Sequence, residues 1–156
     1  MWGLPRTLWR LLTILTFGLL TACDGLMTGE KVAMFDLRQS DDGGFAPIVV
    51  SLGPEMGTIA LNLRVEIPVN PDAAGKWNEY TATLTFESAP VAASNFNLNY
   101  TGTADVPGTP FVAQTVVIYA PKKTGDYTLT ISATRKPSVA LVKPQLELRK
   151  NINPPK

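Results

Sequence analysis

Apolar and polar residues alternate with a period of two along most of the chain. The pattern is clearest in residues 58–67 (TIALNLRVEI), 80–86 (YTATLTF) and 127–133 (YTLTISA). Successive side chains of a β-strand point to opposite faces, so this alternation predicts three half-buried strands. After the N-terminal apolar run, no stretch sustains the 3.6-residue period of an amphipathic helix.

Weaker alternation predicts five more strands, at 32–37, 45–52, 94–100, 111–120 and 139–149, the last interrupted by Pro144. Within the fourth of these, residues 115–119 are apolar on both faces, which predicts a central strand. Clusters of Gly, Pro and Asp separate the strands. About eight short strands predict an all-β fold, a two-sheet antiparallel sandwich that is either immunoglobulin-like or jelly-roll-like.

Residues 121–131, PKKTGDYTLTI, resemble the Gly-x-Tyr segment that opens a strand in many extracellular sandwich domains. This resemblance supports the sandwich and says little about function, since unrelated folds share it.

The N-terminal segment has the layout of a secretory signal peptide. Arg6 and Arg10 form a basic flank, and residues 11–22 (LLTILTFGLLTA) form an apolar run that ends in small residues. A membrane-spanning helix needs about 20 apolar residues, so a cleaved signal is favoured over a retained anchor helix.

Residues Leu20-Thr21-Ala22-Cys23 resemble the lipobox of bacterial lipoproteins. The resemblance implies cleavage before Cys23, diacylglycerol on its thiol and acylation of the new amino terminus, because stable anchoring takes more than one acyl chain. The alternative is a free cysteine behind an ordinary signal peptide. Asp24 resembles the signal that retains enteric lipoproteins in the inner membrane, but other bacteria read this position differently, so inner and outer membrane both stay open.

The expected organisation is a signal peptide at 1–22, a lipidated N-terminus and tether at 23–31, a sandwich domain at 32–150 and a disordered tail at 151–156. In this respect the chain resembles small single-domain β-sandwich lipoproteins of the bacterial cell envelope. We expect it to face the periplasm.

Composition excludes much chemistry. The 156 residues include no histidine and one cysteine, so the lipidated chain has no imidazole base, catalytic triad, usual zinc site or reactive thiol. Arg6 and Arg10 are two of the 14 basic residues, and the remaining chain is close to neutral, without the basic patch of a nucleic-acid-binding protein. We expect no enzyme activity, no metal and no cofactor other than the lipid on Cys23.

Acidic residues leave two chemical alternatives. The stretch Asp41-Asp42-Gly43-Gly44 is either a solvated turn, which is favoured, or part of a Ca²⁺ site. A glycosidase would need two carboxylates facing each other across a cleft. The sequence does not pair any of the candidates, which are Glu55, Asp72, Glu79 and Glu87.

Aromatic residues provide the binding candidates. Trp77 is the only tryptophan after Cys23, and either it lies on a loop as a binding residue, with Tyr80 or Tyr100 beside it, or it starts a strand and caps the core. Asn95, Asn97 and Asn99 also alternate along one predicted strand.

The expected function is a non-enzymatic protein-binding module at the membrane, either an immunity or inhibitor protein or a subunit of an envelope or secretion assembly. The alternative is a carbohydrate- or peptidoglycan-binding module with coplanar exposed aromatic rings.

Overall fold

A computed structural model of the protein describes residues 28–68, 72, 75–99 and 111–153. These residues form eight strands and a short 3₁₀ helix, Pro54–Met56. The strands are β1 (Glu30–Asp36), β2 (Phe45–Leu52), β3 (Ile59–Glu66), β4 (Trp77–Phe86), β5 (Ala89–Asn99), β6 (Phe111–Tyr119), β7 (Gly125–Ala133) and β8 (Val142–Lys150).

The strands form two antiparallel sheets that pack into a sandwich, as the sequence predicts. Sheet A has the order β1-β8-β3-β6 and sheet B has the order β2-β7-β4-β5. Strands 1 and 8, 2 and 7, 3 and 6, and 4 and 5 are therefore paired neighbours, so the chain wraps around the β4–β5 hairpin in the manner of a jelly roll. An immunoglobulin domain would instead group its strands as ABED and CFG, which this order does not match.

The core lies between the two sheets and consists of the alternating apolar residues. Ile59, Leu61 and Leu63 of β3 are fully buried, as are Leu84 of β4 and Leu129 of β7. At about 25 cal/mol per Å² of apolar surface, each such side chain stabilises the fold by about 2 kcal/mol. The period of two therefore predicted this core correctly.

The predicted central position of residues 115–119 is wrong, because β6 is an edge strand of sheet A. A β-bulge explains the misleading pattern. Leu61 of β3 pairs with Val117 and the next residue, Asn62, pairs with Thr115, so Val116 is an extra residue in β6. Val116 and Val117 are consecutive and both buried, whereas Ile118 is 41% exposed.

The two ends of the sandwich differ in what they carry. At one end, called the near end, the odd-numbered strands start and the even-numbered strands finish. The first residue of β1 and the last residue of β8 therefore both lie there. At the opposite end, called the far end, β1, β3, β5 and β7 finish and the even-numbered strands start. Trp77 is the first residue of β4 and therefore lies at the far end.

The ordered domain is longer at both termini than the predicted range 32–150. Glu30 and Lys31, predicted as tether, belong to β1 and pair with Lys150 and Arg149. Beyond β8, the Ile152 N–H donates to the Thr58 carbonyl at 3.0 Å and its side chain is buried, so the predicted disordered tail is wrong for residues 151–153. Residues 154–156, like the predicted signal peptide, lie outside the described residues.

Candidate functional site

Trp77 lies on the outer face of sheet B, at the far end of the sandwich. Its side chain is 39% exposed, which makes it one of the few large apolar side chains at the surface. It pairs with Asn99 of β5, and its indole Nε1 donates to Glu79 Oε1 at 3.0 Å. Trp77 thus starts a strand, as one of the two interpretations expected, but it lies on the outer face and does not cap the core.

Two residues that follow β7 complete the surroundings of the indole. The Arg135 guanidinium lies over the Trp77 ring, 4.7 Å from its centroid, and its Nη2 lies 3.6 Å from Glu79 Oε1. Thr134 Oγ1 donates to Glu79 Oε2 at 3.3 Å. We call Trp77, Glu79, Thr134 and Arg135 the Trp77 cluster. A cation over an indole contributes about 0.5–1 kcal/mol at an exposed site, so together with the Nε1 hydrogen bond it favours this orientation of the ring.

Asn78 lies beneath the cluster and fixes the segment that carries Arg135. It is buried, and its Nδ2 donates to the Val139 carbonyl at 2.8 Å and to the Tyr80 hydroxyl at 3.1 Å. Its Oδ1 accepts the backbone N–H groups of Ser138 at 2.8 Å and of Val139 at 2.9 Å. One buried amide therefore bonds the start of β4 to the β7–β8 connection.

Sequence reasoning missed both Asn78 and Arg135. A signal for Asn78 was present, because it lies two residues before Tyr80 on the face that carries Ala82 and Leu84. A polar residue in a row of core positions indicates a satisfied buried amide. No signal identified Arg135, because it lies 58 residues from Trp77 in the sequence.

Electrostatics make the Trp77 cluster a neutral surface. The pKa of Glu79 is lowered, mainly by the hydrogen bond from the Trp77 indole. Partial loss of hydration raises this pKa, and the positive charge of Arg135 lowers it further. An ionised Glu79 bonded to three neighbours has no proton to donate as a general acid. The cluster is therefore suited to stacking and hydrogen bonding with a partner.

A polar surface continues from Trp77 across sheet B. Asn95, Asn97 and Asn99 of β5 are all exposed on the outer face, as their alternation predicts. Thr81 of β4 donates from its Oγ1 to Asn95 Oδ1 at 2.9 Å. Trp77 is the only large aromatic ring among the described residues of this face.

The predicted aromatic group does not assemble around Trp77. Tyr80 is 1% exposed, so its predicted role as an exposed binding residue is wrong. Its ring stacks on Phe96 at 5.3 Å between centroids, and burial raises the pKa of its phenol. Tyr100, Cys23 and Asp24 lie outside the described residues, so their predicted roles in binding, lipidation and membrane sorting stay predictions.

Two of the acidic candidates, Glu55 and Glu87, lie far from Glu79. Glu87 lies in the β4–β5 turn at the near end, eight residues along the hairpin from Glu79, which is about 26 Å in an extended strand. Glu55 also lies at the near end, in the 3₁₀ helix. A glycosidase pair is about 5–10 Å apart, so neither residue is a partner for Glu79.

The acidic stretch at residues 41–44 forms a self-contained turn. Asp42 Oδ1 accepts from Ser40 Oγ at 2.7 Å and from the Gly44 N–H at 3.0 Å, and these bonds lower the pKa of Asp42. Among the described residues, no three acidic side chains come together as metal ligands would.

A second polar cluster lies on the outer face of sheet A and is shielded from solvent. Glu147 of β8 is fully buried, and its two carboxylate oxygens accept from Arg64 Nη1 at 2.5 Å and from Arg149 Nη1 at 2.6 Å. Burial opposes ionisation, but the two arginines outweigh it and lower the pKa of Glu147. This triad is structural, since its carboxylate is inaccessible.

The comparisons with known proteins do not identify the chain. No protein-family model matches it, and a search of curated proteins finds no match. Within the ranges described above, no helix combines the length and the apolar character needed to cross a bilayer.

Proposed function

We propose that the protein is a bacterial envelope lipoprotein, anchored in a membrane by lipid on Cys23, whose sandwich binds another protein in the periplasm through Trp77. It acts without catalysis, as an immunity or inhibitor protein or as a subunit of an envelope or secretion assembly. The observation that carries the binding role is the exposed, pre-oriented Trp77 ring.

The composition and geometry of the Trp77 cluster support this proposal. Hot spots at protein interfaces are enriched in Trp and Arg, and the Trp77 and Arg135 side chains lie face to face. The bonds to Glu79 and through Asn78 hold both residues before a partner arrives, which lowers the conformational entropy lost on binding. The neutral charge of the cluster favours a partner that buries the ring by apolar contact.

The membrane anchor is supported by the sequence alone. The apolar run before Cys23 and the lipobox-like Leu20-Thr21-Ala22-Cys23 are the two observations behind it. In a Cys23→Ser variant we expect the signal peptide to stay uncleaved before position 23 and the chain to carry no diacylglycerol. Mass spectrometry of the mature N-terminus measures this directly. An unmodified Cys23 in the wild-type protein would contradict the anchor.

A carbohydrate- or peptidoglycan-binding module is the second candidate function. The exposed row of Asn95, Asn97 and Asn99 beside Trp77 favours it, because amide side chains and an indole ring together suit a sugar. The burial of Tyr80 disfavours it, since it leaves Trp77 without the neighbouring exposed ring that the sequence suggested.

Affinity capture with matched variants separates the two functions. Lipidated wild-type, Trp77→Ala and Ile118→Ala proteins are solubilised in detergent and their bound proteins are identified by mass spectrometry. Ile118 is the control because it is similarly exposed but lies on sheet A.

We expect one protein to be captured by the wild type and by Ile118→Ala. Trp77→Ala should bind it about 30-fold more weakly, as expected when a residue that contributes about 2 kcal/mol is lost. Capture that is equal for all three proteins would contradict the role of Trp77. Retention on purified peptidoglycan that depends on Trp77, with no protein captured, would establish the second function instead.

A further inference from the structure

The start of the ordered chain is fastened to the near end of the sandwich. Arg149 donates from Nε to the Thr28 carbonyl at 3.2 Å and from Nη2 to the Gly29 carbonyl at 2.9 Å. The Asn153 N–H donates to Thr28 Oγ1 at 3.1 Å. We call Thr28, Gly29, Arg149 and Asn153 the N-terminal clasp. Through it, both ends of the described chain are bonded to each other.

The backbone conformation at Gly29 in the clasp requires glycine. Gly29 has φ +84°, and a Cβ at this position would lie 2.4 Å from the Lys150 carbonyl oxygen. Only glycine fits both the conformation and the space. Arg149 is itself held by Glu147, so the clasp is connected to the buried triad of sheet A.

The clasp shortens the segment that separates the lipid from the folded domain. The tether expected from the sequence ends at residue 31, whereas the clasp already holds Thr28. From Cys23 to Thr28 the chain takes five steps and spans at most about 18 Å. By contrast, the ten residues of β4 extend the sandwich over about 33 Å.

We infer that the near end of the sandwich faces the lipid bilayer and that the Trp77 cluster is presented about 30 Å farther from it. This inference rests on the proposed lipid at Cys23. The short tether leaves the attachment point of the domain, and therefore the near end, close to the membrane surface. A partner consequently reaches Trp77 without contacting lipid.

Charge at the near end is only partly paired, since Lys31 and Lys122 are exposed and no ion pair holds either of them among the described residues. Lys150 Nζ lies 3.2 Å from Glu30 Oε2, and Lys123 Nζ lies 3.7 Å from Glu87 Oε2. An unpaired lysine near an anionic membrane contributes about 1 kcal/mol, and such pairing reduces that attraction. The short tether should therefore set the orientation with zwitterionic lipid, and the two unpaired lysines should reinforce the same orientation with anionic lipid.

Tryptophan fluorescence tests the orientation, because Trp2 and Trp9 lie in the signal segment and Trp77 is the only tryptophan after Cys23. The lipidated protein is reconstituted in phosphatidylcholine vesicles, with and without phosphatidylglycerol, that carry spin-labelled headgroups. A second protein, Trp77→Phe with Lys122→Trp, moves the reporter to the turn between β6 and β7 at the near end. Flotation with the vesicles reports anchoring separately.

We expect strong quenching of the tryptophan at position 122 and almost none of Trp77, with both lipid compositions. Quenching of Trp77 equal to that at position 122 would overturn the inference, since the domain would then lie on its side. If the protein does not float with the vesicles, the proposed lipid anchor fails instead. If it floats and Trp77 is quenched, the anchor stands and only the orientation is wrong.

Discussion

At the scale of single residues, hydrogen bonds to buried polar groups position the surface residues that we propose for binding. The Trp77 indole is exposed, but its position depends on Asn78 beneath it. Replacing a buried amide that forms four hydrogen bonds should lower the free energy of unfolding. Each lost bond leaves a buried donor or acceptor that neither the protein nor water satisfies. Residue-scale predictions therefore concern Asn78 and Glu147, two of the buried polar side chains.

Asn78→Asp should destabilise the fold and release the segment that carries Arg135. A carboxylate oxygen would replace Nδ2 and face the Val139 carbonyl oxygen at about the present 2.8 Å. We expect a loss of about 2–4 kcal/mol in the free energy of unfolding, measured by denaturant titration, and a red shift of Trp77 fluorescence.

Asn95→Asp is the matched control for Asn78→Asp. Asn95 is exposed on the same sheet, and its Oδ1 accepts from Thr81, an acceptor role that a carboxylate retains. Its free energy of unfolding should change by less than about 0.5 kcal/mol. Equal effects of the two substitutions would show that Asn78 does not organise the site.

Glu147→Gln should cost about 3 kcal/mol of stability at neutral pH, because two arginines would lose their buried counter-charge. Glu87→Gln is the control, with an expected effect below about 1 kcal/mol, since Glu87 forms a 3.7 Å ion pair at the surface.

The contribution of Glu147 should also depend on pH. Its folded-state pKa lies below the ordinary value of 4.5, so the unfolded chain binds the proton more readily. The stabilisation is complete above pH 4.5 and is lost as the pH falls through the folded-state pKa. The stability difference between wild type and Glu147→Gln should therefore be constant at neutral pH and shrink in acid. A constant difference down to strongly acidic pH would contradict this account.

At the scale of elements, alternation in the sequence predicted all eight strands, and its failures have local causes. The start of β5 was missed because Ala89, Pro90 and the alanines that follow do not alternate in polarity. The bulge at Val116 made an edge strand resemble a central one. The sheet order was not predictable, because neighbouring strands such as β1 and β8 lie far apart in the sequence and no local pattern pairs them.

The first strand should depend on the N-terminal clasp. Gly29→Ala and Gly75→Ala form a matched pair, because both glycines have positive φ but a Cβ at Gly75 would meet nothing within 4 Å. Each substitution places alanine in a left-handed conformation at about 1–2 kcal/mol. Gly29→Ala should cost at least about 2 kcal/mol more, because its Cβ would overlap the Lys150 carbonyl.

Hydrogen exchange measures the local effect of this pair. In Gly29→Ala the amides of β1 should exchange faster than in the wild type, whereas in Gly75→Ala they should not. Unchanged exchange of β1 in Gly29→Ala would mean that the clasp does not hold the strand.

At the scale of the whole molecule, the jelly-roll topology separates the chain termini from the Trp77 cluster. The chain enters and leaves the sandwich at the near end, and Trp77 lies at the far end. An anchor on Cys23 therefore leaves the cluster accessible. The sequence predicted the sandwich and singled out Trp77. The alternation of residues 80–86 already placed Tyr80 on the apolar face with Ala82 and Leu84, so its burial was predictable. The contact of Arg135 with the indole was not, because it depends on how distant segments pack.

In-cell photo-crosslinking tests the central claim most directly. A benzoylphenylalanine replaces Asn99, the exposed residue paired with Trp77, in one strain and Ile118 in another, both in the lipidated protein in its native membrane. The account predicts one protein adduct of defined mass from position 99 and none from position 118. It is contradicted if position 99 gives no protein adduct, or if both positions give the same adducts.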